Sequence, residues 1–107
     1  MKKIYISIPI TGLDIDRQRE KADILKAALS KKGWQVVNPF EIIPDVKEPT
    51  WFDHMKADLE ALSKCDAIFM CNGWKESKGC KIEMSYALDS GIRTLFETVE
   101  EPQIYYR

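Results

Sequence analysis

A chain of 107 residues supports one domain around one core, and its 45% hydrophobic and 31% charged residues are those of an ordinary globular protein. Lys and Arg total 16 against 17 Asp and Glu, a net charge of −1, which leaves no basic stripe to bind a nucleic-acid polymer through counterion release. No apolar run is long enough to span a bilayer, so the expected partner is a small molecule or another protein rather than a membrane.

Met1 to Pro9 opens like a secretory leader, but its apolar part is too short and no small-residue cleavage site follows. Ile4–Ile8 reads instead as a short buried strand, stopped by Pro9 and turned by Thr11-Gly12. Asp14 is a suitable N-cap for a helix to Lys32, in which Ala22, Ile24, Leu25, Ala28 and Leu29 recur at helical spacing and Gly33 provides the stop. Trp34–Val37 is a second strand, ended by Asn38-Pro39. Residues 41–49 carry two more prolines and form a loop. Thr50 then caps a helix to about Lys64, with Phe52, Met55, Leu59 and Leu62 on one face.

Ala67–Cys71 is a third strand, almost continuously apolar as central parallel strands are. A helix from about Gly79 to Ser90 follows, with Gly91 as its stop, then a fourth strand at Ile92–Phe96 and a fifth at Ile104–Tyr106. Strands alternating with helices predict an α/β fold. The expected architecture is one small doubly wound, flavodoxin-like parallel sheet of four to five strands, with helices on both faces and the first strand central. The loops after Ile8 and after Cys71 then converge on one crevice beyond the carboxyl ends of the strands, where ligands of such sheets sit.

The chemistry at that crevice is first limited by what is missing. There is no G-x-x-x-x-G-K-[ST] and no G-x-G-x-x-G after the first strand. Cys71 is followed by Asn-Gly-Trp-Lys-Glu-Ser-Lys-Gly-Cys, with no arginine to complete a phosphatase cradle, so it reads as a strand-end core residue. Cysteines 65, 71 and 80 are odd in number, match no zinc spacing and are accompanied by a single histidine, His54. They read as reduced thiols of a cytoplasmic protein, with no metal and no cofactor called for.

Glu83 stands apart. It falls in the first turns of the helix at the crevice, with Gly73 and Gly79 permitting close backbone approach and Ser77 offering a hydroxyl and an N-cap. An acidic residue there gains roughly 0.3–1 kcal/mol from the helix dipole and needs no further role. Kept ionised by helix N–H groups, it is also a suitable nucleophile toward an electrophilic sugar carbon. The opposite face of the helix, Ile82, Met84, Tyr86 and Ala87, is expected to pack on the sheet.

Tyr5-Ile-Ser-Ile-Pro-Ile-Thr-Gly12, Asn38-Pro39, Asp58-Leu59-x-x-Leu62-x-x-Cys65-Asp66-Ala67 and Ser77-x-Gly79-x-x-x-Glu83-x-x-x-Ala87 together resemble the nucleoside 2-deoxyribosyltransferase superfamily. Within it, the chain is most similar to small uncharacterised bacterial and phage domains of the DUF4406 type, over nearly its whole length. The resemblance implies a nucleoside or nucleotide N-glycosidase or 2-deoxyribosyltransferase. Glu83 would attack the anomeric carbon and form a glycosyl-enzyme intermediate by a retaining two-step route. Asp58 would assist the nucleophile or protonate the leaving base, and Tyr5 would orient Glu83. Ser77 and Gly79 would contact the sugar or phosphate, Asn38 and Gly73 complete the substrate-binding set, and Trp74 either stacks on the base or packs locally.

At the position of Ser77, transferases of free nucleosides carry aspartate, whereas nucleoside monophosphate glycosidases carry serine; Lys75 and Lys78 beside it suit an anion. The first loop departs from these relatives, because Ile8 stands where a glycine would let the backbone approach the ligand. That departure keeps open a second class, a non-catalytic nucleotide-binding or sensing module on the same scaffold. Trp51, Phe52, Tyr105 and Tyr106 form an apolar set suited to self-association, and the resemblance likewise implies a homo-oligomer.

Overall fold

Four short strands, β1 (Lys3–Ser7), β2 (Gln35–Val37), β3 (Ala67–Met70) and β4 (Arg93–Phe96), pair in parallel in the order β2-β1-β3-β4. The computed structural model describes residues 1–98, so the fifth strand expected at 104–106 lies outside the described residues. The first strand is central, as expected of the flavodoxin-like order. Its register sets Tyr5 beside Ile68 and Ser7 beside Met70 on β3.

Three helices connect the strands: α1 (Ile15–Lys31), α2 (Trp51–Leu62) and α3 (Lys78–Asp89). Each begins on a side chain that satisfies otherwise unpaired first-turn N–H groups. Asp14 accepts from the N–H groups of Asp16 and Arg17, and Ser77 accepts from that of Cys80. Thr50 and Asp53 form a reciprocal capping box. Two three-residue 3-10 turns, Pro39–Glu41 and Trp74–Glu76, lie in the connecting loops. Neither is long enough to leave a periodic trace in the sequence.

Alternation along β1 divides the core in two. Ile4, Ile6 and Ile8 pack with Ala22 and Leu29 of α1 and with Ala67 and Cys71. Tyr5 points to the other face, where it joins Ile68, Met70, Leu62 of α2, and Cys80 and Ala87 of α3. Helices therefore cover both faces, and the chain changes face between β1 and β3. That change opens the crevice at the strand ends.

One expectation about α3 is corrected. Its buried stripe is Cys80, Glu83 and Ala87, at spacings of three and four, while Ile82, Met84 and Tyr86 flank it half-buried. Glu83 thus lies on the core-facing side of the helix and not opposite it.

Candidate active site

Glu83 is only 5% exposed, too deep for a carboxylate that merely decorates a helix N-terminus. Its two oxygens are each met by a hydroxyl from β1. The Tyr5 hydroxyl donates to Oε2 at 2.7 Å and the Ser7 hydroxyl to Oε1 at 2.6 Å, both distances typical of charge-assisted bonds. Tyr5 and Ser7 are two apart on a strand and so share a face, which is why one helix residue reaches both. The Glu83 carboxyl stands raised from 4.5 to about 7: burial pushes it up most, the Ser7 and Tyr5 donations hold it down in part, and the nearby Asp58 charge adds to the rise. Burial first, and then the Glu83 and Asp58 charges, hold the Tyr5 phenol well above 10, so it serves as a donor.

Asp58 and Glu83 line one cavity of about 670 Å3 at the crevice. Asp58 is half-buried on α2, one turn after His54, which also lines the cavity. Burial pushes the Asp58 carboxyl up from 3.8 to about 6 against the pull of His54 and of the Tyr5 hydroxyl. Two carboxyl groups with raised pKa values therefore face one space near neutral pH, the condition for one to ionise while the other holds a proton. Met55 and Leu62 are buried on the same stripe of α2 and fix the turn that carries Asp58.

The remaining residues divide between the cavity and its supports. Ser77 and Gly79 line the cavity. The Ser77 hydroxyl accepts from the Cys80 N–H at 3.2 Å and keeps its own proton to donate. A Cβ at Gly79 would sit 3.4 Å from Met55 Sδ of α2, in ordinary van der Waals contact. Asn38, Gly73 and Trp74 do not line the cavity. Asn38 is buried, accepting from the Phe40 N–H at 3.0 Å and donating to Asp23 Oδ1 at 3.4 Å, so it sets the turn that brings Phe40 and Ile42 to the wall. Gly73 holds φ +91° where the chain leaves β3, a conformation costly for other residues. Trp74 packs locally, its ring centroid 6.0 Å from that of Phe96, and Lys75 lies over its ring instead of at the cavity.

Ser7, Arg19 and His54 are site residues that the sequence reading did not single out. Two of them had a signal: Ser7 lies two residues after Tyr5 on a strand, and His54 one helical turn before Asp58. Arg19 lines the cavity from α1 but has the appearance of a solvated helix residue. Cys71 is fully buried, its thiol pushed up to about 12 chiefly by burial, and burial raises Cys80 too, so both remain neutral thiols. Among the described residues no group of three or more potential metal ligands exists, and no helix is long and apolar enough to cross a membrane.

Solved structures share this architecture. The 2-deoxyribosyltransferase from Bacillus psychrosaccharolyticus matches with a TM-score of 0.68 at 20% identity, over 92% of this chain and 77% of its own. The CMP N-glycosidase BcmB of Clostridium botulinum matches with a TM-score of 0.64 at 24% identity, over 98% and 75%. The Leishmania mexicana 2-desoxiribosyltransferase gives 0.69 at 19%, over 90% of this chain and 63% of that protein. At these identities the likeness is one of fold. No curated protein matches the chain in sequence. The family model described as a domain of unknown function, DUF4406, matches residues 2–96, and with that match on a nucleoside 2-deoxyribosyltransferase-like fold the chain belongs to the DUF4406 family.

Proposed function

We propose that this protein cleaves the base–sugar bond of a nucleoside or nucleotide, as an N-glycosidase or 2-deoxyribosyltransferase, with Glu83 as nucleophile. The observation that carries this reading is the buried Glu83 carboxyl, held by Tyr5 and Ser7 and facing one cavity with Asp58. Each carboxylate oxygen accepts one hydroxyl and retains a further lone pair for attack. A Glu83 oxygen bonds to the anomeric carbon as the carbon–nitrogen bond breaks, its electron pair leaving with the base. Asp58 supplies the proton the base needs. Water or a second base then attacks the same carbon, the ester bond to Glu83 breaks, and configuration is retained after two displacements. Asp58, now ionised, takes the proton from the incoming group. The three solved structures named as deoxyribosyltransferases and a CMP N-glycosidase support the substrate class through their shared fold.

Incubation with 2′-deoxynucleosides and their 5′-monophosphates, followed by chromatography for free base, tests the assignment. Adding a second base separates hydrolysis from transfer, since only transfer yields the exchanged nucleoside. No release by the wild type, or equal release by Glu83→Ala, removes the assignment.

Ile8 favours a second reading. It is 5% exposed and lines the cavity next to Ser7, filling space that a glycine would leave to the ligand. A non-catalytic nucleotide-binding module on this scaffold predicts thermal stabilisation by nucleotides without any base release.

A further inference from the structure

The proposed reaction uses the buried end of the cavity and leaves its mouth without a role. Two exposed cations stand there, on different helices. Arg19 of α1 has its guanidinium carbon 4.8 Å from the Phe40 ring centroid, and Lys78 of α3 has its ammonium 4.9 Å from that of Trp51. All four residues line the cavity. Neither cation is in an ion pair among the described residues, although Lys21 and Lys26 on α1 are bound at 2.9 Å to Glu97 and Glu41. Glu76, which also lines the cavity, is not bridged to Lys78.

The distinction matters physically. A cation in an ion pair has its charge cancelled and its donors occupied. A cation resting on an aromatic ring is held in place, for roughly 0.5–1 kcal/mol at an exposed site, with its charge and N–H donors still available. Arg19 offers a planar fork matched to phosphate, Lys78 a compact point charge, and the free Ser77 proton lies next to Lys78 in sequence. The loop after β1, by contrast, lines the cavity with Ile8, Ile10 and Thr11 and brings no cation to it. An anionic group is therefore drawn to the mouth, away from the Glu83 and Asp58 carboxyls.

We infer that Arg19 and Lys78 form a two-sided anion clamp at the cavity mouth that selects a phosphorylated ligand, a nucleoside 5′-phosphate over the neutral nucleoside. The nucleoside half of this statement rests on the proposed function; the anion preference rests on the two cations. Both are exposed, so Arg19→Gln and Lys78→Gln leave the core untouched.

The test is calorimetric binding to Glu83→Gln, which holds ligand without turnover, using the four common 2′-deoxynucleosides and their 5′-monophosphates. Thermal shift of the wild type with the same probes provides a second readout. At least one monophosphate should bind ten-fold or more tightly than its nucleoside at low salt, with the gap narrowing as salt rises. Adding Arg19→Gln and Lys78→Gln together should bring the two within about two-fold by weakening only the monophosphate. Equal affinities, a preference that survives the double substitution, or no binding of either probe overturns the clamp. The two proposals fail separately. Monophosphate preference without base release by the wild type retains the clamp and removes the reaction, whereas equally efficient release from nucleoside and monophosphate does the reverse.

Discussion

On one face of the sheet β1 presents Ile4, Ile6 and Ile8 to α1, within a cluster of aliphatic and sulfur-bearing groups; on the other, Tyr5 and Ser7 meet the carboxyl of Glu83 beneath α2 and α3. The two sets come from alternate residues of one strand, so a one-residue slip in pairing would exchange them. Burying each isoleucine stabilises the fold by roughly 1.5–3 kcal/mol at any pH. Burying Glu83 costs more once it is ionised, since burial is what raises its pKa. The α1 face therefore supplies stability that the α3 face gives up in holding an ionisable group ready, a division common where activity needs a strained site.

The sharpest way to break this contrast is Glu83→Gln. The amide can accept from Tyr5 and donate to Ser7, so the hydrogen bonds survive while the nucleophile is lost. Base release should fall by about three orders of magnitude or more. Stability should move the other way. A carboxyl raised from 4.5 to about 7 contributes stability that is complete below pH 4.5 and is lost as pH rises through 7. At pH 8 the glutamine variant should exceed the wild type by something on the order of 3 kcal/mol, and at pH 4 the advantage should vanish. Denaturant unfolding at the two pH values measures the difference, and equal stability at both would show that Glu83 carries no such load.

The matching change on the other face is Ile6→Ala. It removes a fully buried side chain from the α1 cluster and should cost about 2–5 kcal/mol. That loss should be the same at pH 4 and pH 8, because no ionisable group accompanies the residue. A pH-dependent loss would mean that the two faces are coupled through β1.

How much of this was legible in the sequence follows the same division. Alternation and helical spacing carry over several residues, so the strand order and helices could be read, with ends shifted by a residue or two. Glu83 stood out because a ligand site at strand ends restricts where chemistry can stand, whereas Asp58 and Tyr5 were named only by what the family resemblance implies. Asn38, Gly73 and Trp74 lie in the correct loops yet serve turns and packing, because loop position alone does not reveal which way a side chain faces. The burial of Glu83 was also hidden. A carboxyl on a packing stripe breaks the amphipathic pattern, and only the hydroxyls of Tyr5 and Ser7 make that break tolerable.

Asp58→Asn tests the coupling between the two carboxyls and should reduce base release about a hundred-fold through loss of the acid. The wild-type pair should give a bell-shaped rate profile, highest between pH 6 and 7, with apparent pKa values that belong to the pair. Below that window both carboxyls are protonated and Glu83 cannot attack. Within it the pair shares one proton, and the productive form carries that proton on Asp58; above it neither has a proton to give. In the asparagine variant the alkaline fall should disappear and residual activity should rise to a plateau as Glu83 ionises. A retained alkaline limb would assign the acid to another group, and His54, one turn away, is the neighbour to substitute next.

Ser7→Ala makes the smallest change and separates the two hydroxyls. Ser7 donates over the shorter distance and pulls the Glu83 carboxyl down more than Tyr5 does. A hydrogen bond to a charged group contributes about 1.5–3 kcal/mol, so losing it should raise the Glu83 pKa by about one unit or more. The acidic limb of the rate profile should shift upward by that amount, with release below pH 6 falling about ten-fold and nearly recovering at pH 8. Tyr5→Phe should shift the same limb in the same direction by less. If alanine instead lowers the rate equally at every pH, Ser7 only fills space beneath α3; if phenylalanine moves the limb further than alanine, the phenol is the principal donor that keeps Glu83 ionised.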